Sequence, residues 1–559
     1  MSGRSSFISR PWRLLRWAGL AAAVPALWAC TSRTLEAPVV TPTQSVTQKV
    51  TQKINSDIDI LFMIDNSSSM TSMQTKLLAQ LPVFMQVLAA LPMGLPSVHV
   101  AVVSSDMGAP SDTDIGCAMT TASSDDGKFY TAPEGTCPSN DFNTPTDLFI
   151  TDDAAGDTKN FSDPDNGTGA GLAKVFQCIA LLGSTGCGFE HQLASIDRAL
   201  GSDGNGGPTD PMFLRADAYL GIVMLTNEDD CSAPTLNSGD WPIYSLNGGD
   251  DSLSGLNAGP GGPLGNYRCN GKPFGGHRCQ DLSAGSTDMS PQLPPLMEPA
   301  DAIANNDMVT YSNCIPDDQA DSGDELTPVA TFVSHIKSLK SDPANQILVA
   351  AVTGVNAVAG SNPPVLAPTP YTVTWALGTG PSANEKIPNV NHLCGPTTDG
   401  SFADPAVRIS AFVNAFGANG VLASICDTSY SSSMAAIAAK IGALITPKCI
   451  SGTIQQINGE PNCTVTNEFK VNGNSTQLYK TIPACADNGG AAPCWQFLAA
   501  NDPNNKCGGV GQALSVSTDP ANPTPDSLDS SIQCSTCVAG IPTAGCPCLG
   551  TSADVAGCI

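Results

Sequence analysis

Basic residues are scarce in this chain. Its 559 residues carry 25 Lys+Arg against 51 Asp+Glu, a formal charge of −26. A surface so poor in cations argues against nucleic acid as a partner, because phosphate neutralisation needs Lys and Arg. It suits cations, and it keeps an exported protein soluble. Histidine is scarcer still, with only His99, His191, His277, His335 and His392. No His-Glu-x-x-His is present, since Glu190-His191 lacks a second histidine, and no Gly-x-Ser-x-Gly elbow occurs. The common zinc and Ser-His-Asp hydrolase signatures are therefore missing, and no enzymatic activity is expected. Long apolar runs are lacking too. The strongest, "LLRWAGLAAAVPALWA", is short and broken by Pro25, too little for a spanning helix.

What the chain does have is glycine (53), proline (44) and cysteine (21). The first two predict long loops. The opening "MSGRSSFISRPWRLLRW" holds four Arg and no acid, and the short apolar run and Cys30 follow, so residues 1–29 read as a signal peptide. "LWAC" resembles the lipobox of bacterial lipoproteins, with Leu27 and Ala29 in the expected places. That resemblance implies cleavage before Cys30, lipidation of Cys30, and a membrane anchor. Thr31, where many inner-membrane proteins have aspartate, favours the outer membrane or cell surface. The alternative is ordinary cleavage and free secretion. Twenty cysteines remain, an even number that reads in an exported chain as a disulfide framework. "CSTC" (Cys534, Cys537) and "CPC" (Cys546, Cys548) are expected to be structural bridges.

Residues 30–53 are Thr/Val/Pro/Gln-rich and read as a tether. Over residues 54–446 apolar strand-like runs alternate with amphipathic segments. "DIDILFMID" is followed by Leu77, Leu81, Phe84, Leu88 and Leu91 on one helical face, with Pro82 expected to kink that helix. "SVHVAVVSSD", "AYLGIVMLTNEDD", "NQILVAAVTG" and "GVLASIC" read as strands. "FEHQLASIDRAL", "ELTPVATFVSHIKSL", "AVRISAFVNAFG" and "MAAIAAKIGALI" read as helices. The alternation predicts an α/β fold, a Rossmann-like, doubly wound, mostly parallel sheet with helices on both faces. Two stretches, at about 107–170 and 232–324, are rich in Gly, Asp, Pro, Ser and Asn and read as disulfide-pinned insertions. Residues 447–559 are dense in cysteine and predict a small β-containing module.

In such a sheet ligands bind beyond the carboxyl ends of the strands. Asp65 ends the first apolar run, and Ser67 and Ser69 follow within "ILFMIDNSSSM". Asp-x-Ser-x-Ser between a strand and a helix offers one carboxylate and two hydroxyls, the hard oxygen ligands a small divalent cation prefers. The plainer alternative is that the serines only cap the helix.

The pattern resembles the von Willebrand factor type A domain and its metal-ion-dependent adhesion site, whose first motif is Asp-x-Ser-x-Ser, over about residues 54–446. The resemblance implies a cell-envelope lipoprotein that binds a protein or surface ligand through a divalent cation. Mg2+ is the expected ion, with Ca2+ or Mn2+ possible, and the partner would offer a carboxylate to an open coordination position. It implies a threonine on a second loop, where "GSTGCGFEHQL" offers Thr185, with Glu190 as the alternative. It implies an aspartate on a third loop, where this chain departs. "TNEDD" places Asn227 at that position, leaving Glu228 or Asp229 to supply the carboxylate. Cys187 and Cys231, on those two loops, are expected to pair. Two other readings stay open: a metal-assisted hydrolase using the acidic loop, and an envelope protein whose metal only stabilises it, through "SDPDNGTG" (162–169) or "DDQADSGDE" (317–325).

Overall fold

The computed structural model describes residues 44–51, 57–91, 95–108, 124–130, 147–153, 158–161, 170–202, 210–215, 218–233, 269–270, 276–281, 298–299, 307–318, 326–340, 342–358, 361, 365–377, 385–398, 401–445, 450, 453–470, 477–499, 513–517 and 529–537. The signal peptide, Cys30, most of the tether, residues 162–169 and the Cys546–Cys548 pair lie outside them. The chain divides into two compact units, Met1–Gln44 and Ser45–Ile559. Only the second is described further.

Its centre is a seven-stranded sheet. In chain order the strands are β1 (Ile58–Ile64), β2 (Val98–Val103), β3 (Ile150–Asp153), β4 (Thr158–Lys159), β5 (Tyr219–Leu225), β6 (Ile347–Thr353) and β7 (Gly420–Ser424). They lie side by side in the order β7-β6-β5-β1-β2-β3-β4. The first five of that row are parallel, β3 pairs antiparallel with β2, and β4 pairs antiparallel with β3. Strand β1 has β2 on one side and β5 on the other, so the winding reverses there and leaves a crevice above its carboxyl end.

Side-chain alternation explains the covering layers. Ile58, Ile60, Phe62 and Ile64 of β1 pack in one core with α1 (Thr71–Ala89), α2 (Ala170–Ile179) and α6 (Ser431–Ile445). Leu61 and Met63 point the other way, into a second core with α3 (Gln192–Ala199), α4 (Val329–Ser338) and α5 (Val407–Asn414). Buried on both faces, the parallel strands are mostly apolar, and β1, β5 and β6 have no exposed residue; the buried exception Asp59 of β1 is paired with Arg215. Helix α1 runs unbroken through Pro82. The ring deprives Leu78 of its usual helical donor, and the Gln177 amide of α2 donates to that carbonyl at 2.8 Å.

The expectation of a Rossmann-like doubly wound sheet is met at a coarser level: a mixed α/β chain with one parallel-containing sheet and several disulfides. Among the described residues, five smaller sheets lie outside it. The largest has five strands, from residues 277–316 and from Tyr371–Leu377 and Glu385–Val390, so a third excursion after β6 joins the second. Near the C-terminus, Cys463–Lys470, Gln477–Ile482 and Asp529–Thr536 form a four-stranded sheet over a core of Ile450, Val465, Ile482, Trp495 and Ile532. Its edge strand is Gln44–Thr51, from the segment expected to be tether. Described bridges are Cys231–Cys269, Cys279–Cys314, Cys394–Cys426, Cys463–Cys534 and Cys485–Cys494. Cys534 of "CSTC" is thus a structural bridge, as expected, and Cys537 is also disulfide-bonded.

Candidate functional site

The carboxyl ends of β1, β5 and β6 are level. Ile64 pairs with Leu225, and Leu225 with Val352. The alignment continues one residue further, where the Asp65 amide donates to Leu225 O at 2.9 Å and the Thr226 amide to Val352 O at 3.2 Å. Asp65 and Thr226 therefore emerge side by side, and the Thr226 hydroxyl donates to Asp65 Oδ2 at 2.7 Å. The other carboxylate oxygen accepts from the Ser67 amide at 2.8 Å and the Ser105 hydroxyl at 3.2 Å. Burial pushes the Asp65 carboxyl above its ordinary value, and these hydrogen bonds act against that shift.

Ser67 and Ser69 stand next to Asp65 with Oγ atoms 3.4 Å apart. Neither works as a helix cap. Ser67 makes no capping side-chain bond to the 3-10 turn Ser68–Met70, and Met70, the residue just before α1, makes no side-chain cap. The Ser69 hydroxyl instead meets the Asn227 amide, with Nδ2 to Oγ at 3.0 Å. Asn227 thus reaches the first motif from the third loop. Its Nδ2 also donates to Phe402 O at 2.9 Å.

The run "TNEDD" divides its labour residue by residue. Thr226 and Asn227 hold the first motif. The Glu228 carboxyl is pushed well above its ordinary value by burial, then by the charges of Asp404 and Asp65, and no hydrogen bond opposes this. Asp229 turns away. Its carboxylate accepts from the amides of Arg408 (2.9 Å) and Ile409 (3.1 Å) at the start of α5 and from His277 Nε2 (2.7 Å). The expectation of Asp229 as an alternative metal ligand is therefore corrected: its oxygens serve the helix N-terminus, where backbone N–H groups lack partners. Asp230 pairs with buried Arg408 at 3.1 Å and accepts from the Leu193 amide of α3 at 2.9 Å.

The second loop contributes Glu190, while Thr185 is exposed to solvent. Glu190 is buried, and burial followed by the charges of Glu228 and Asp65 pushes its carboxyl well up. This loop lies against the first motif. The Gly186 amide donates to Asn66 O at 2.9 Å, and a Cβ on Gly186 would run into the Asn66 side chain, so a larger residue there has to displace Asn66. Gln74 of α1 ties the loops together by donating to Asp65 O at 2.8 Å and Gly183 O at 2.7 Å.

The expected Cys187–Cys231 bridge is not formed. Cys231 bonds Cys269, with Cα atoms 5.3 Å apart, and Cys187 is disulfide-bonded elsewhere. The two loops are kept in register by a backbone bond instead, Cys231 N to Glu190 O at 2.9 Å. This leaves the Cys231 side chain free to pin the following excursion.

Four participants escaped the sequence: Gln74, Ser105, Gln192 and Asp404. Gln192 begins α3, and its Nε2 donates to the Thr226 hydroxyl at 2.8 Å. Since that amide is the donor, Thr226 must spend its own proton on Asp65. The only signal for Asp404 was an acid two residues before a predicted helix, which reads as a cap. Among the described residues no three His, Cys, Asp or Glu side chains are gathered tightly enough to hold a metal ion. A cation at this crevice would need the serine hydroxyls.

No protein-family model matches the chain, and no curated protein matches it. Among solved structures it is similar to the pilus adhesin SpaC from Lactobacillus rhamnosus GG in an open conformation, at 9% identity and a TM-score of 0.26, covering 88% of this chain and 40% of that one. It is also similar to the pilus adhesin RrgA from Streptococcus pneumoniae, at 10% identity and a TM-score of 0.26, covering 88% of this chain and 58% of that one. The chain thus spans less than two thirds of the length of either.

Proposed function

We propose that this chain is a cell-surface binding protein that takes up a small divalent cation above β1 and uses it to hold a carboxylate of a protein or surface ligand. The observation that carries this reading is the placement of Ser67 and Ser69. Their hydroxyls make no helix cap and stand beside Asp65 and Asn227 at the reversal point of the sheet. No helix among the described residues is long and apolar enough to cross a membrane; attachment through a lipid on Cys30 belongs to the same proposal.

The residues fit such an ion. All the donors are oxygens, and Glu228 keeps a carboxylate that no protein donor engages among the described residues. Ser67, Ser69, Asp65 and Glu228 would hold the ion, with Asn227 orienting Ser69. When bound, the ion supplies positive charge with a coordination position for a ligand oxygen. The chain's own residues do the rest. Thr226, Ser105 and the Ser67 amide fix Asp65 in place, and their hydrogen bonds favour its charged form against the effect of burial. Gln74 and Gly186 keep the second loop against the first.

Titration calorimetry with Mg2+, Mn2+ and Ca2+ on wild type and Asp65→Ala tests the reading. Wild type is expected to bind at least one of these ions, and the variant to lose binding. Equal binding by both returns Ser67 and Ser69 to a purely local role.

A further inference from the structure

The third loop has an amide where a carboxylate was expected, and the reason lies on a distant segment. Residues 391–398 and 401–404 follow the third excursion. Phe402 O accepts from Asn227 Nδ2 at 2.9 Å, and the Asp404 amide donates to Asn227 O at 2.8 Å. Ser401 is hydrogen-bonded to Ser72, in the first turn of α1. The segment therefore touches both the helix that follows the first motif and the third loop. An aspartate at position 227 would have no proton for the Phe402 carbonyl, so asparagine is the residue this contact requires.

The same segment returns a carboxylate. Asp404 is buried, its side chain is hydrogen-bonded to His392 Nδ1, and His392 stacks on Phe402 with ring centroids 4.1 Å apart. The bond from the Asp404 amide to Asn227 O sets Asp404 beside the third loop, and its charge acts on Glu228. A second sign that the crevice expects a ligand is Gln192. It is fully buried, its Nε2 lies against Thr226 Oγ1 and Glu228 O, and the oxygen of the same amide has no hydrogen-bond donor. The arm is fastened covalently. Cys394 bonds Cys426, two residues past the end of β7.

We infer that Asp404 supplies to the cation site the negative charge that Asn227 gives up, and that the Cys394–Cys426 bridge helps to hold Asp404 in place to do so. The inference rests on the cation-binding reading above. It adds a residue and a covalent latch that the Asp-x-Ser-x-Ser pattern does not contain. It also makes cation affinity sensitive to thiol reduction.

The test is calorimetry on the full chain with Mg2+, Mn2+ and Ca2+, comparing wild type, Asp404→Asn and Cys394→Ser/Cys426→Ser, with thermal melts in chelator alongside. Asp404→Asn is expected to weaken binding about 10- to 100-fold. In chelator it should melt no lower than wild type, because removing one of several like charges relieves repulsion. A purely structural Asp404 would instead lower the chelator melt and leave affinity unchanged, and that result overturns the inference. The double cysteine variant should lose affinity while keeping its circular dichroism spectrum; unchanged affinity removes the latch. Binding by wild type with no effect of Asp404→Asn leaves the cation reading standing and this one fallen. No binding by wild type removes both.

Discussion

Burial at His191 makes a residue-scale statement about acid. His191 sits next to Glu190 at the start of α3 and is nearly inaccessible, and burial lowers its imidazole from the ordinary 6.5 to about 4. In the folded chain the ring is neutral where the unfolded chain would already hold a proton. The unfolded state therefore binds more protons between pH 6.5 and 4, so this residue's effect on stability is fully favourable above 6.5 and fades as pH falls through that window. The whole effect is about 3 kcal/mol. Urea melts of wild type and His191→Gln at pH 7 and pH 4.5 should show wild type losing more stability on acidification than the variant; parallel losses would refute it. None of this was legible from the sequence, where His191 is one of five histidines with no pattern around it.

Among elements, the strands and helices of the main sheet were readable because burial on both faces forces continuous apolar runs such as "ILFMI" and "ILVAAV". Their junctions were not. "TNEDD" looks like five candidate ligands, yet two of its acids belong to helices. Asp230 joins the N-terminus of α3 to buried Arg408 of α5, and Asp229 caps α5. Removing one partner of a buried pair leaves the other charge uncompensated. Asp230→Ala is therefore expected to cost about 3–5 kcal/mol, measured by denaturant unfolding. A loss below about 1 kcal/mol, the size of a surface pair, would contradict this placement. The candidate site divides in the same way. Asp65, Ser67 and Ser69 were legible because they are close in sequence. Asp404 was not, because only the folded topology brings it to the third loop. Thr185 was chosen by analogy of residue type, and the loop turned it outward while turning Glu190 in.

At the scale of the whole molecule, two contacts tie the second excursion to the third loop of the main sheet. His277, on the edge strand of the five-stranded sheet, meets Asp229 at 2.7 Å, and Cys231 reaches Cys269 across 38 residues. Closing a loop of that length limits the unfolded chain by about 4 kcal/mol. Cys231→Ser/Cys269→Ser should therefore lower thermal stability markedly. Cation binding at Asp65 should persist, because Cys231 N remains bonded to Glu190 O. Loss of both together would mean that the excursion, and not the backbone bond, sets the loop register.

The distant pairing at the crevice also fixes an order of events during synthesis. Ser72 and Ser401 lie 329 residues apart, and Asn227 finds Phe402 only after 175 more residues have been made. Contacts so remote in sequence form slowly, because much chain must be ordered before they contribute. On the function proposed above, a nascent chain would therefore carry its complete Asp-x-Ser-x-Ser stretch past most of its own folding before the crevice it serves is closed.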